Sequence, residues 1–161
     1  MMADYGICSF LIDTTVTNIF LYNYENRLRH WFELRDKIKK LSLIQQCQEI
    51  DKFWQQAPLV NHYLHTDFID EWPGPWQLLA DNNYCYYARA LGIIYTFYLL
   101  DTKNLELVLA KDDNSDEVVL VLVENAKYIL NYWPDTVINN NIKDFSIIKT
   151  FNITPLNNKI G

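Results

Sequence analysis

The chain has 161 residues, half of them hydrophobic and 15% aromatic, and carries a formal net charge of −6. That length holds one domain with a real core, and the apolar content excludes a disordered chain. The acidic balance excludes a phosphate-tracking nucleic-acid face: the nearest basic cluster, Arg35-Asp36-Lys37-Ile38-Lys39-Lys40, reads as cations complementing the end of a helix.

Residues 1–23 mix β-branched and aromatic types and read as an extended N-terminal arm or strand. Asp4 and Asp13 stand where a signal peptide would be basic, so no secretory leader is expected. From Tyr24 to Lys40, Leu28, Trp31, Phe32, Arg35 and Ile38 recur with helical period and predict an amphipathic helix. Ser42 and Gln45 have capping-box spacing and open a second helix, with Leu43, Cys47, Ile50 and Trp54 on one stripe and an end near Gln56. The run Trp72-Pro73-Gly74-Pro75-Trp76 cannot lie inside a helix or a central strand, because two prolines fix φ and remove donors. It predicts a rigid turn, with Pro75 as the first residue of a short helix through Leu79. Its tryptophans form either a stacking shelf for a ligand or a packed loop pinned on the core.

Asp81 to Leu100 is a capping cluster followed by an almost wholly apolar helix, too short and too rich in Tyr, with Arg89 inside it, for a membrane span. Three β-rich segments follow at 105–110, 118–124 and 127–132, separated by polar turns of hairpin length, and predict an antiparallel meander. Val118 to Val123 is apolar on both faces, as in a strand covered on two sides. A further strand is expected within Phe145 to Ile153, before a loose tail. The expected fold class is α+β, with N-terminal helices and a buried central helix (84–100) packed on a small antiparallel sheet (105–132). The expected division is an arm (1–23), one domain (24–138) and a C-terminal extension (139–161).

Cys8, Cys47 and Cys85 lie far apart with no CxxC pair, so neither a zinc knuckle nor a disulfide framework is indicated and a reducing compartment fits best. Cys47 falls on an apolar stripe and reads as packing. Cys85 opens the central helix, where the macrodipole and free N–H groups favour a thiolate, so it reads as either a nucleophile or a small apolar packing residue. His62 and His65 have His-x-x-His spacing, but the segment lacks the helical pattern that would fix both rings on one face, so no metal is expected. His30, beside Trp31 on a charged helix, reads as a boundary residue. No phosphate loop or nucleotide fingerprint occurs, so no cofactor is expected.

A helix opened by Cys85-Tyr86-Tyr87-Ala88 and followed by two strands resembles the core of the transglutaminase-like and papain-like cysteine enzymes. The resemblance implies a histidine opening the first of these strands and an acidic or amide residue ending the second, a position that Asn131 matches. The lead-in Asp70 to Leu79, together with Tyr84-Cys85 and Ala88 to Gly92, is similar to small uncharacterised tailed-phage proteins of transglutaminase-like type. Where the resemblance calls for the histidine, residues 115–119 read Ser-Asp-Glu-Val-Val, and no histidine follows His65. Without an imidazole, a thiol has neither a base to take its proton nor an acid to protonate the leaving group. Carboxylates from Asp116 or Glu117 would oppose thiolate formation, and Asn83-Tyr84 makes a bulky approach.

The expected function is therefore a non-catalytic structural or assembly protein of a phage virion, associated with tail, neck or baseplate and located in the virion or host cytoplasm. Trp72, Trp76 and Tyr84 are its candidate binding residues. Its expected partners are other proteins, with neither nucleic acid nor membrane. The alternative is a cysteine acyl-transfer enzyme, a peptidase or amidase, with Cys85 as nucleophile and Asn131 beside it.

Overall fold

A computed structural model describes residues 18–61, 64–133, 136–139 and 141–160. The arm read over residues 1–23 lies outside the described residues up to residue 17, as do Cys8 and His62. The remainder of that arm carries a 3₁₀ turn, Ile19–Leu21, whose Ile19 and Phe20 are buried.

Helix α1 (Tyr24–Ile38) starts where the Asn23 side chain accepts from Asn26 N. Helix α2 (Leu43–Gln55) opens on the anticipated box, with Ser42 Oγ accepting from Gln45 N and the Gln45 side chain accepting from Ser42 N. Helix α3 (Pro75–Asp81) has its proline in the first turn and ends at Asn82 in the left-handed conformation (φ 54°), which asparagine tolerates better than most residues. Helix α4 (Tyr86–Leu99) takes Cys85 as its extended N-cap. Thus the cysteine stands just before the helix, not within its first turn.

Five antiparallel strands come next: β1 (Leu105–Lys111), β2 (Glu117–Val123), β3 (Tyr128–Trp133), β4 (Thr136–Asn139) and β5 (Ser146–Phe151). Their order in the sheet is β4-β3-β2-β1-β5, so the chain runs a four-strand meander and returns to pair β5 with β1. The sheet is therefore larger than the three-strand meander of the sequence reading, and part of the segment read as an extension beyond residue 138 is built into it. Phe151 and, in the short helix α5 (Thr154–Asn157), Leu156 are buried in the main core. A loose tail is not what the structure shows there.

Strand β2 is covered on both faces, as its unbroken apolar run requires. Val119, Val121 and Val123 point into the main core with the helices, while Leu120 and Leu122 join Val108, Ala110 and Ile129 in a second cluster covered by Ile138, Ile142 and Phe145.

Helix α4 is the centre of the main core, and its contacts explain its composition. Trp31 of α1 and Trp54 of α2 both donate their indole N–H to Thr96 Oγ1 at 2.9 Å, and Thr96 donates to Gly92 O at 2.7 Å. One hydroxyl thus satisfies two buried donors that would otherwise cost about 1–3 kcal/mol each. Gly92 lets the Trp54 ring lie against the helix backbone: a Cβ there would sit 2.4 Å from the ring.

Candidate functional site

The sheet and the start of α4 meet where Cys85, β2 and β3 converge. Cys85 is half-buried at the helix N-cap, next to the parallel bridge between Leu59 and Tyr84. By alternation from Val119, the side chains that β2 turns toward α4 at this level are Glu117 and Val119. The phenol of Tyr87 reports the same proximity: burial pushes it up, with Glu117 and then Cys85 adding to the effect.

Asn131 closes this corner. Its backbone is left-handed (φ 70°), which interrupts the alternation of β3: Leu130 faces the helices, whereas Tyr132 faces the second cluster. The buried side chain donates from Nδ2 to Tyr86 O at 3.1 Å and to Val119 O at 3.0 Å. Its backbone N–H donates to Asp51 Oδ1 of α2 at 2.9 Å. One residue therefore ties α4 to β2 through its amide group and β3 to α2 through its backbone.

Asp51 was not singled out by the sequence reading, although a signal existed. It lies four residues after Cys47 and three before Trp54, a fully buried carboxylate beside an apolar stripe. Arg89, one turn into α4, spans the same corner by donating to Ala57 O and Gln55 O; burial lowers its pKa, with Tyr86 and Asp51 partly opposing the shift.

Over this corner opens a cleft of about 550 Å³ lined by Tyr86, Asp112, Asn114, Asp116, Glu117, Val118, Val119, Asn131 and Tyr132. Its rim is the β1–β2 turn, where Asp112 accepts from the N–H groups of Asn114 and Asp116 and from Tyr132 OH. No histidine lines it. His30 Nδ1 lies 3.7 Å from Glu33 Oε1 on α1, and His65 is exposed with its ring against Phe68. Among the described residues, no group of three His, Cys, Asp or Glu side chains could hold a metal ion.

The candidate binding residues separate. Trp72 is buried, donating to His65 O and packing on Tyr87 and Phe151. Tyr84 is fully buried against Phe20 and Trp54, and burial pushes its phenol up. Both are core residues: the Pro-Gly-Pro turn folds Trp72 onto the core, and the bridge of Tyr84 to Leu59 sets its ring among the aromatics of the main core. Trp76 alone of the three reaches the surface, 43% exposed and edge-on to Trp31. Cys47 is buried, and its thiol is pushed up to about 12 by burial first and then by Asp51 and Glu124.

No family model matches the chain, and no curated protein matches it in sequence. Among solved structures it is similar to calcium-bound LapG of Legionella pneumophila, with a TM-score of 0.65 over 90% of this chain and 84% of that one. The fold is transglutaminase-like. Sequence identity with LapG is 15%, so the likeness carries the fold alone. In that transglutaminase-like frame, helices packed on a five-strand antiparallel sheet bring the start of α4 against β2 and β3. Among the described residues, no helix is long and apolar enough to cross a membrane.

Proposed function

We propose that this chain is a non-catalytic structural protein, a pseudoenzyme that uses the transglutaminase-like frame as a scaffold for contacts with other proteins. The observation that carries the reading is the corner at Asn131. Its amide N–H groups are committed to two backbone carbonyls and its backbone to Asp51, so it locks four elements together. Beside it, β2 presents a carboxylate and a valine at the cleft, Glu117 and Val119. An acyl transfer needs a group there that takes the thiol proton and returns one to the leaving group, and neither Glu117 nor Val119 is the imidazole that does this best near neutral pH.

The setting in a phage virion, at tail, neck or baseplate, rests on the sequence resemblance to small tailed-phage proteins. The surface best suited to a protein partner includes Trp76.

One observation favours a second reading. Cys85 stands half-buried at a helix N-terminus, one residue before Tyr86, which lines the cleft and whose carbonyl accepts from Asn131, and that is where an acyl-transfer cysteine would be placed. On that reading Cys85 is the nucleophile of a peptidase or amidase.

Substituting Cys85→Ser separates the two. On the scaffold reading, the variant keeps the wild-type association with its virion partners and melts within a few degrees of wild type. Loss of particle assembly by a variant that keeps its fold would contradict it.

A further inference from the structure

We propose that Phe32, Arg35 and Trp76 form a docking patch for a protein segment that carries a carboxylate beside an apolar side chain. The proposal rests on the scaffold reading and names the kind of partner it would hold.

The three residues belong to α1 and the first turn of α3, linked through Trp31. The Trp76 ring lies 5.7 Å from that of Trp31, and the Arg35 guanidinium stands 4.7 Å from the Trp31 ring and 5.6 Å from that of Phe32. Trp31 is wholly buried, whereas Phe32 is 59% exposed and Trp76 43% exposed. The helical spacing of Phe32 with Leu28, Trp31 and Ile38 predicts a core position, yet the structure turns it outward, because Trp31, Ile38 and Arg27 take the inner face.

The charge complementarity is local. The other arginines of α1 are engaged: Arg27 donates to Leu79 O, and Arg29 pairs with Glu33. Lys39 pairs with Asp36, and Lys37 reaches Glu49. Arg35 has no carboxylate partner among the described residues, and its Nε is buried without an acceptor. Its guanidinium lies over the Trp31 and Phe32 rings and is desolvated in part, and the half-buried side chain leaves room for a partner's carboxylate to add a charge-assisted hydrogen bond from outside. Tryptophan and arginine, with an exposed aromatic, are the residue types that dominate protein interfaces.

The test selects from an mRNA-displayed library of random dodecapeptides on the full chain, then measures synthetic copies of the enriched peptides by fluorescence anisotropy. Enriched peptides are expected to place Asp or Glu within about three residues of an aromatic or aliphatic side chain. Their binding is expected to weaken about tenfold or more in Arg35→Glu and Trp76→Ala. It is also expected to weaken as NaCl rises from about 50 to about 300 mM. Arg35→Gln and Phe32→Ser, checked by circular dichroism for retained fold, guard against a variant that merely unfolds, and both are expected to weaken binding.

Failure to enrich peptides, enrichment of peptides without acidic residues, or binding undiminished in folded Arg35→Gln and Trp76→Ala would each overturn the proposal. So would sedimentation showing that the patch is covered by a second copy of the chain. Cys85→Ser is measured alongside and is expected to bind as wild type, so a failed patch leaves the scaffold reading to be judged by the behaviour of Cys85.

Discussion

Replacing Asn131 by aspartate changes one NH₂ group to an oxygen, and the structure makes that exchange expensive. The left-handed backbone is not the reason, since aspartate adopts it nearly as readily. The cost lies in the two carbonyls, Tyr86 O at 3.1 Å and Val119 O at 3.0 Å, which lose their donor and face a carboxylate oxygen in its place. Two lost hydrogen bonds account for about 2 kcal/mol, and an uncompensated buried charge for about 3 kcal/mol or more. The sum is about 5 kcal/mol at pH 7, a large share of the roughly 5–15 kcal/mol that holds a domain together. For a chain of this length, that lowers the melting temperature by about 10–20 °C.

The pH dependence follows from the sign. Burial and the facing carbonyls raise the folded-state pKa of the introduced aspartate above its unfolded value of about 3.9, so the folded state takes up the proton first. The deficit is therefore full at pH 7, shrinks as pH falls through the folded-state value, and is smallest below about pH 4. Urea titrations of Asn131→Asp and wild type at pH 7 and pH 4, followed by tryptophan fluorescence, measure it directly. A variant within about 1 kcal/mol of wild type at pH 7 would refute the reasoning and would mean that the position is free to orient another group.

Three further outcomes are expected. Thr96→Val keeps the shape but orphans the indole N–H groups of Trp31 and Trp54, lowering stability by about 2–4 kcal/mol in denaturant titration. Gly92→Ala gains about 1 kcal/mol of helix propensity, yet it lowers the melting temperature because its Cβ meets the Trp54 ring. Stability falls as pH rises above about 9, because the unfolded chain ionises Cys47 and the buried tyrosines before the folded state does. Thermal melts between pH 7 and pH 11 check this, and Cys47→Val is expected to flatten part of the slope.

The α+β layers and the capping box at Ser42 were legible because they rest on local rules: hydrophobic period, side-chain caps and proline geometry. The covering of β2 on both faces was legible from its unbroken apolar run. Strand β5 was only half legible, since five of its six residues are exposed and it lacks the alternation that marks a core-facing strand. The burial of Trp72 was not legible because an aromatic beside a Pro-Gly-Pro turn looks the same in sequence whether the turn folds outward or onto the core, and that of Tyr84 was not because it depends on Phe20 and Trp54, distant in the chain. The converse error fell on Phe32, whose helical spacing matches that of Trp31 and Ile38 although α1 buries a narrower stripe. Asp51 and its bond to Asn131 span 80 residues of sequence, and no local pattern reports such a contact.

On the scaffold reading, Cys85 sits in a frame without the machinery to use it. Site-resolved alkylation tests it most directly: the native chain is treated with iodoacetamide between pH 5 and pH 9, and modification at Cys85 is followed by mass spectrometry, with buried Cys47 as internal control. Alkylation no faster than that of a simple thiol, rising steadily with pH across the range, is the result predicted here. Rapid, selective labelling of Cys85 that has already reached its plateau at pH 6 would contradict it and turn the reading to an acyl-transfer enzyme.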